Sequence, residues 1–229
     1  MRPETRRTHW EKKKKKKMAI VLHYWDIRGL AQVPRLLLAL AGVEYEDRLY
    51  SDNEVWAKAK SEMKSAFPNI PALEHPELPF TLTESKAVIQ FIARRYKLYG
   101  DTAVEAAVVD NLIFRAEDVR ASFTGLVYGS KNFAEDRVAF EAALPGRLAP
   151  FERFLAGRST RHAASNSVTS ADIFLYELFL VLSRFCPAVF AALPQCLALR
   201  DTVAGLPQLQ AVIQRTAKLA ANGDEAHWR

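Results

Sequence analysis

The chain has 229 residues, about half of them apolar, which is enough to bury one large core or two smaller ones. No stretch approaches the roughly 20 unbroken apolar residues of a membrane helix, so a helical span is excluded and a soluble globular protein is expected. The net charge of +6 suggests nucleic acid only until it is located: residues 1–17 carry nine basic side chains against Glu4 and Glu11, a local +7 that leaves the other 212 residues at −1.

That first segment, with Arg2, Arg6, Arg7 and the run Lys12 to Lys17, lacks the apolar centre of a secretory signal and the amphipathic period of a mitochondrial leader. A like-charge block of this kind predicts a disordered, solvated tail over 1–17, with nuclear import or weak contact with an anionic surface as alternatives. Beside an acidic membrane each lysine contributes about 1 kcal/mol. Met18 stands where the patterned sequence begins and is a second candidate start.

Ala19 to Tyr24 is a short apolar run that predicts a strand buried on both faces. Val33, Leu36, Leu37 and Leu40 follow at the spacing of an amphipathic helix, with Pro34 tolerated in its first turn and Gly42 ending it. Glu44 to Tyr50 predicts a second strand, and the polar, lysine-rich residues 53–66 an irregular helix. Ile70 to Glu74 and Leu78 to Thr83 predict two further strands around His75-Pro76-Glu77. Ser85 to Leu98 predicts a helix with Val88, Ile89, Ile92 and Tyr96 facing inward.

After Gly100 the character changes to long apolar-periodic stretches with short breaks, which predicts an all-helical second domain over 101–229 behind a first domain over 18–100. Thr169-Ser170-Ala171-Asp172 is a capping box that opens the apolar run Ile173 to Leu182. Cys186 and Cys196 have neither metal-ligand nor Cys-x-x-Cys spacing, and two cysteines make no secreted disulfide framework. Buried, inert thiols in a reducing compartment are expected, and no metal.

Three clusters remain: Tyr24-Trp25-Asp26-Ile27-Arg28-Gly29, Phe67-Pro68-Asn69-Ile70-Pro71, and Glu84-Ser85. In this order and at these spacings they resemble the N-terminal half of the cytosolic glutathione S-transferases, most nearly the mu and sigma groups. The resemblance implies a thioredoxin-like α/β domain followed by an all-helical domain. It also implies a cytoplasmic homodimer that joins glutathione to hydrophobic electrophiles. Tyr24 then becomes the catalytic residue, its hydroxyl donating to the glutathione thiolate. A free thiol with a pKa of about 8.5 is only about 3% ionised at neutral pH. Lowering that pKa by two units needs roughly 2.7 kcal/mol, within reach of about 1.5–3 kcal/mol from one charged hydrogen bond plus ~0.3–1 from a helix N-terminus.

By the same resemblance Trp25 and Leu30 contact the tripeptide, Leu30 also flooring the electrophile pocket. Trp56 and Lys60 hold the glycine carboxylate, and Asn69-Ile70-Pro71 with a cis proline meets the cysteinyl part. Glu84 and Ser85 take the γ-glutamyl carboxylate, where helix amides make an anion site, although Ser85 alone is equally a simple N-cap. Asp118 reaches a partner subunit's glutathione, Tyr128 faces the electrophile, and Phe67 keys into the partner. The chain departs from the mu pattern at Asn53, where an arginine is expected, in a preceding loop about seven residues shorter, and at Ser165-Asn166, which replace a glycine before the capping box. Two other functions stay open on sequence: a glutathione-dependent isomerase of the sigma, prostaglandin D synthase-like kind, and a non-catalytic transferase-like binding module. Retention of Tyr24 and Glu84-Ser85 speaks against the module.

Overall fold

The computed structural model describes residues 20–228. The expectations for the basic tail over 1–17, for Met18 as a start and for Ala19 in the first strand fall outside them. The first half runs β1 (Val21–Trp25), α1 (Gln32–Leu40), β2 (Glu46–Tyr50), α2 (Asn53–Glu62), β3 (Ala72–Glu74) and α3 (Ser85–Arg95). β1 is central, parallel to β2 and antiparallel to β3. As the apolar run predicts, Val21, Leu22, His23 and Tyr24 are all buried: Leu22 and Tyr24 face the core, and His23 on the other face is covered by Tyr50 and Glu74 of the flanking strands.

The fourth strand expected at Leu78–Thr83 shrinks to one isolated bridge, Leu73 with Leu82. Pro79 has no amide to give a ladder, and Phe80 beside it is exposed. α2 is shorter than residues 53–66, beginning where the Asp52 carboxylate accepts from the amides of Glu54 and Val55. In α1 the stripe Val33, Leu36 and Leu37 is buried as its spacing requires, and so are Arg35 and Leu38, because the helix packs against both α3 and the helical half.

That second half contains α4 (Ala103–Gly129), α5 (Phe133–Gly157), α6 (Ser170–Phe185), α7 (Pro187–Phe190), α8 (Pro194–Ala204) and α9 (Gln210–Thr216). α6 is the axle, packed against α1, α3, α4, α7 and α8. Its start is the predicted box: Asp172 accepts from the Thr169 amide and hydroxyl, each at 2.8 Å, and from the Ala163 amide at 2.8 Å. The turn before it is rebuilt without glycine, the Arg161 amide donating to Asn166 and the Ser167 amide to the Ser165 hydroxyl. α4 opens on a box of the same kind, Thr102 with Glu105, that the periodicity alone does not reveal.

Both cysteines are free and buried. Burial pushes the Cys186 thiol up to about 11 and Cys196 higher still. Among the described residues no helix is long and apolar enough to cross a membrane.

Candidate active site

Tyr24 is the fourth residue of β1 and only 6% exposed, its ring capped by the Arg35 guanidinium 5.9 Å from the centroid. The chain then turns back over the phenol. Gly29 has φ +39°, and a Cβ built on it falls 2.5 Å from the Tyr24 hydroxyl, so the turn passes in contact with the oxygen and only glycine fits. This close pass delivers the Leu30 amide, which donates to the hydroxyl at 2.9 Å. Burial raises the Tyr24 pKa, opposed by the Leu30 amide and by the charges of Arg120 and Arg35. The phenol therefore keeps its proton at neutral pH, with one lone pair occupied and the O–H left to donate.

Gly29 and Leu30 form the floor of a cavity of about 70 Å³, with the phenol screened just behind them. Its apolar wall comes from Val33, Ile89, Phe123 and Phe174, and its polar side from Ser85, Glu117 and Arg120. Glu117 is held in a fork by Arg120 at 2.6 and 2.7 Å and reached by Lys86 at 3.5 Å. The remaining side is the C-terminal segment. Ala220 and Ala221 accept from the amides of Arg28 and Gly29, and the Gly223 amide donates to the Tyr128 hydroxyl at 2.7 Å. Farther on, His227 stacks on Phe133 and Trp228 packs edge-on against Phe123 and Phe185. Residues 220–228 thus form a strap across the cleft between the two halves.

The structure gathers some of the sequence candidates and separates others. Leu30 and Ser85 line one cavity, and Tyr24 lies behind its floor, bonded to the Leu30 amide. The Ile70–Pro71 bond is cis, and the β1–β3 register, which pairs Ala72 with His23, carries Pro71 alongside Tyr24. Asn69 is exposed, its side chain accepting from the Ile70 amide. Trp25 and Trp56 lie edge to face at 6.0 Å, with Tyr50 5.3 Å from Trp56, and Lys60 is exposed one turn beyond. Glu84, at φ 69°, occupies the N-cap position of α3, so Ser85 is the first helical residue and its hydroxyl makes no cap bond. Tyr128 binds the strap and is not among the residues lining the cavity. Phe67, 73% exposed, and Asp118, with a side chain 71% exposed and 3.5 Å from Arg115, face outward.

Sequence reasoning missed Glu117, Arg120, Glu177 and the strap. Glu117 and Arg120 are three apart on α4, a spacing that puts both on one face, but nothing local marks that face as a cavity wall. Glu177 sits within the apolar run of α6 and meets Arg28 across 149 residues of sequence.

Family models agree with this architecture. Residues 20–94 match the glutathione S-transferase N-terminal domain and residues 117–216 the C-terminal domain. The chain belongs to the glutathione S-transferase family. It is 34% identical to glutathione S-transferase 2 of Gallus gallus over 177 residues, 74% of this chain and 78% of the relative. It is 31% identical to glutathione S-transferase Mu 1 of Bos taurus, covering 86% and 91%. The pi-class glutathione S-transferase of Onchocerca volvulus has the same fold, with a TM-score of 0.82 at 24% identity, over 92% of this chain and all of that one.

Proposed function

We propose that this protein conjugates glutathione to hydrophobic electrophiles, with Tyr24 as the catalytic residue. The observation that carries this is the Tyr24 hydroxyl accepting from Leu30 at 2.9 Å directly behind a cavity that Ser85 also lines. With its own lone pair engaged, the phenol keeps its proton and donates a hydrogen bond to the glutathione sulfur, which stabilises the thiolate. The thiol proton leaves to solvent. The thiolate then forms a carbon–sulfur bond as the leaving group departs or as the electron pair of a conjugated double bond shifts.

Ser85 and the amides of α3 receive the γ-glutamyl carboxylate, and the backbone beside Pro71 meets the cysteinyl part. Trp25, Trp56 and Lys60 take the glycyl end, with Asn53 a weaker partner than an arginine. Glutathione is a co-substrate, and no metal takes part. The working state is a cytoplasmic homodimer in which Phe67 enters the partner and Asp118 approaches the partner's glutathione, the two domains dividing at about Gly100.

Retention on immobilised glutathione, followed by turnover of a generic aromatic electrophile, tests the proposal. Tyr24→Phe should still be retained while its turnover falls about 10²-fold, the size of losing one anion-stabilising donor. Unchanged turnover at saturating glutathione would remove the role given to Tyr24. Retention of the unmodified protein without turnover would make it a binding module.

A further inference from the structure

Four residues beyond Tyr24, Arg28 is only 4% exposed, an unusual place for a permanent charge. Its guanidinium grips Glu177 of α6 through two parallel bonds, Nε to Oε1 at 3.0 Å and Nη2 to Oε2 at 2.5 Å. Its Nη1 reaches the carbonyl and hydroxyl of Thr216, each at 3.4 Å, at the end of α9. The backbone is held as well: the Arg28 amide donates to Ala220, and its carbonyl accepts from Arg35 Nη1 at 3.3 Å. Arg35 takes the Ile27 carbonyl at 2.8 Å and is itself anchored on Asp47. The turn between β1 and α1 is therefore clamped from the helical half, from the strap and from α1.

The geometry points to the Arg28–Glu177 pair as a positioning device, through which the helical half sets the aim of the Tyr24 hydroxyl by fixing the Leu30 amide. This rests on the proposed conjugation chemistry. A buried ion pair contributes little net stability, because desolvation offsets the attraction. What a forked guanidinium–carboxylate contact supplies is orientation. Leu30 follows Arg28 by two residues, and an N–H···O bond weakens steeply once its angle opens. If the turn swings, the phenol regains a second lone pair and its O–H rotates about the C–O bond, aimed at sulfur for less of the time. Glu177 also lines the cavity, so the clamp ends on the wall that an electrophile touches. The charged and titratable neighbours that bear on the phenol are Arg35 on α1 and Arg120 and Tyr128 on α4, and none of these is altered by changing the pair.

The test compares Glu177→Gln, which keeps the shape but not the charge, with Arg28→Lys, which keeps the charge but not the fork. Both are measured against the unmodified protein for thermal midpoint, KM for glutathione, kcat, and the pH profile of kcat/KM. The expected result is a kcat lower by tenfold or more, as misaimed groups commonly give, with KM for glutathione within about threefold. The acid-side, ascending limb of the pH profile, which follows ionisation of the glutathione thiol, should move up by about one unit, since one unit is the scale of a single lost hydrogen bond. A change confined to folding would lower the active fraction and leave that limb in place. The phenol titration of Tyr24, taken as the difference from Tyr24→Phe, reports the same contact without turnover, so an inactive unmodified protein would defeat the proposed activity and not this test. An unmoved pH limb and an unmoved phenol titration in folded variants would overturn the assignment, as would failure of both variants to fold.

Discussion

At position 29 the backbone has no room for a side chain. A methyl there meets the Tyr24 oxygen at 2.5 Å and sits on a φ of +39°, so Gly29→Ala must push the phenol or open the turn. Loss of turnover of about 10²-fold is expected, with a thermal midpoint lowered by the equivalent of ~1–3 kcal/mol; steady-state kinetics and calorimetry on the same preparation would check both. The sequence already carried half of this. Tyr24 was visible as the end of a strand ahead of a helix, and its chemistry followed from resemblance. The clamp on the turn was invisible, because Arg28 reads as an ordinary exposed arginine until Glu177 arrives from α6.

Elements were legible where their signals are local. The α6 capping box is spelled out in four consecutive residues, and the structure uses all of it. Asp172→Ala removes three hydrogen bonds at a buried cap and strands the amides of Ala163 and Thr169. A cost of about 2–4 kcal/mol is expected, measurable as a lower urea midpoint with an unchanged slope. The strand expected at Leu78–Thr83, opposite Ile70–Glu74 across His75-Pro76-Glu77, is reduced to one bridge, because Pro79 withholds the amide that pairing needs. The strap failed to show because it has no period. Its fixation comes from single contacts of Trp228, His227 and the Ala220 and Ala221 carbonyls with distant partners. Deleting residues 220–229 should cost about 3–5 kcal/mol, the scale of removing a buried tryptophan. It should also raise the relative turnover of bulky electrophiles, as a size-graded substrate series would show.

Across the whole molecule, two buried histidines make stability depend on pH. His23 lies between the Tyr50 hydroxyl at 2.8 Å and Glu74 at 3.1 Å, and His75 bonds Tyr96. Burial lowers the pKa of both, against the opposing pull of Glu74 on His23 and of Glu77 on His75. The unfolded chain therefore binds protons more readily than the folded one, so stability is fully present above the unfolded pKa of about 6.5 and drains as pH falls through it. The thermal midpoint should be level from neutrality upward and decline in mild acid, and His23→Gln should flatten part of that decline. A protein that handles electrophiles also exposes its own thiols to attack. Here Cys186 and Cys196 are out of solvent and held protonated, with Cys186 at about 11. The reactive sulfur in the cleft is then the one that arrives with the co-substrate, and the polypeptide is spared alkylation by the compounds it processes. Incubation with a thiol-specific label should leave the folded protein unmarked and modify both cysteines once it is unfolded.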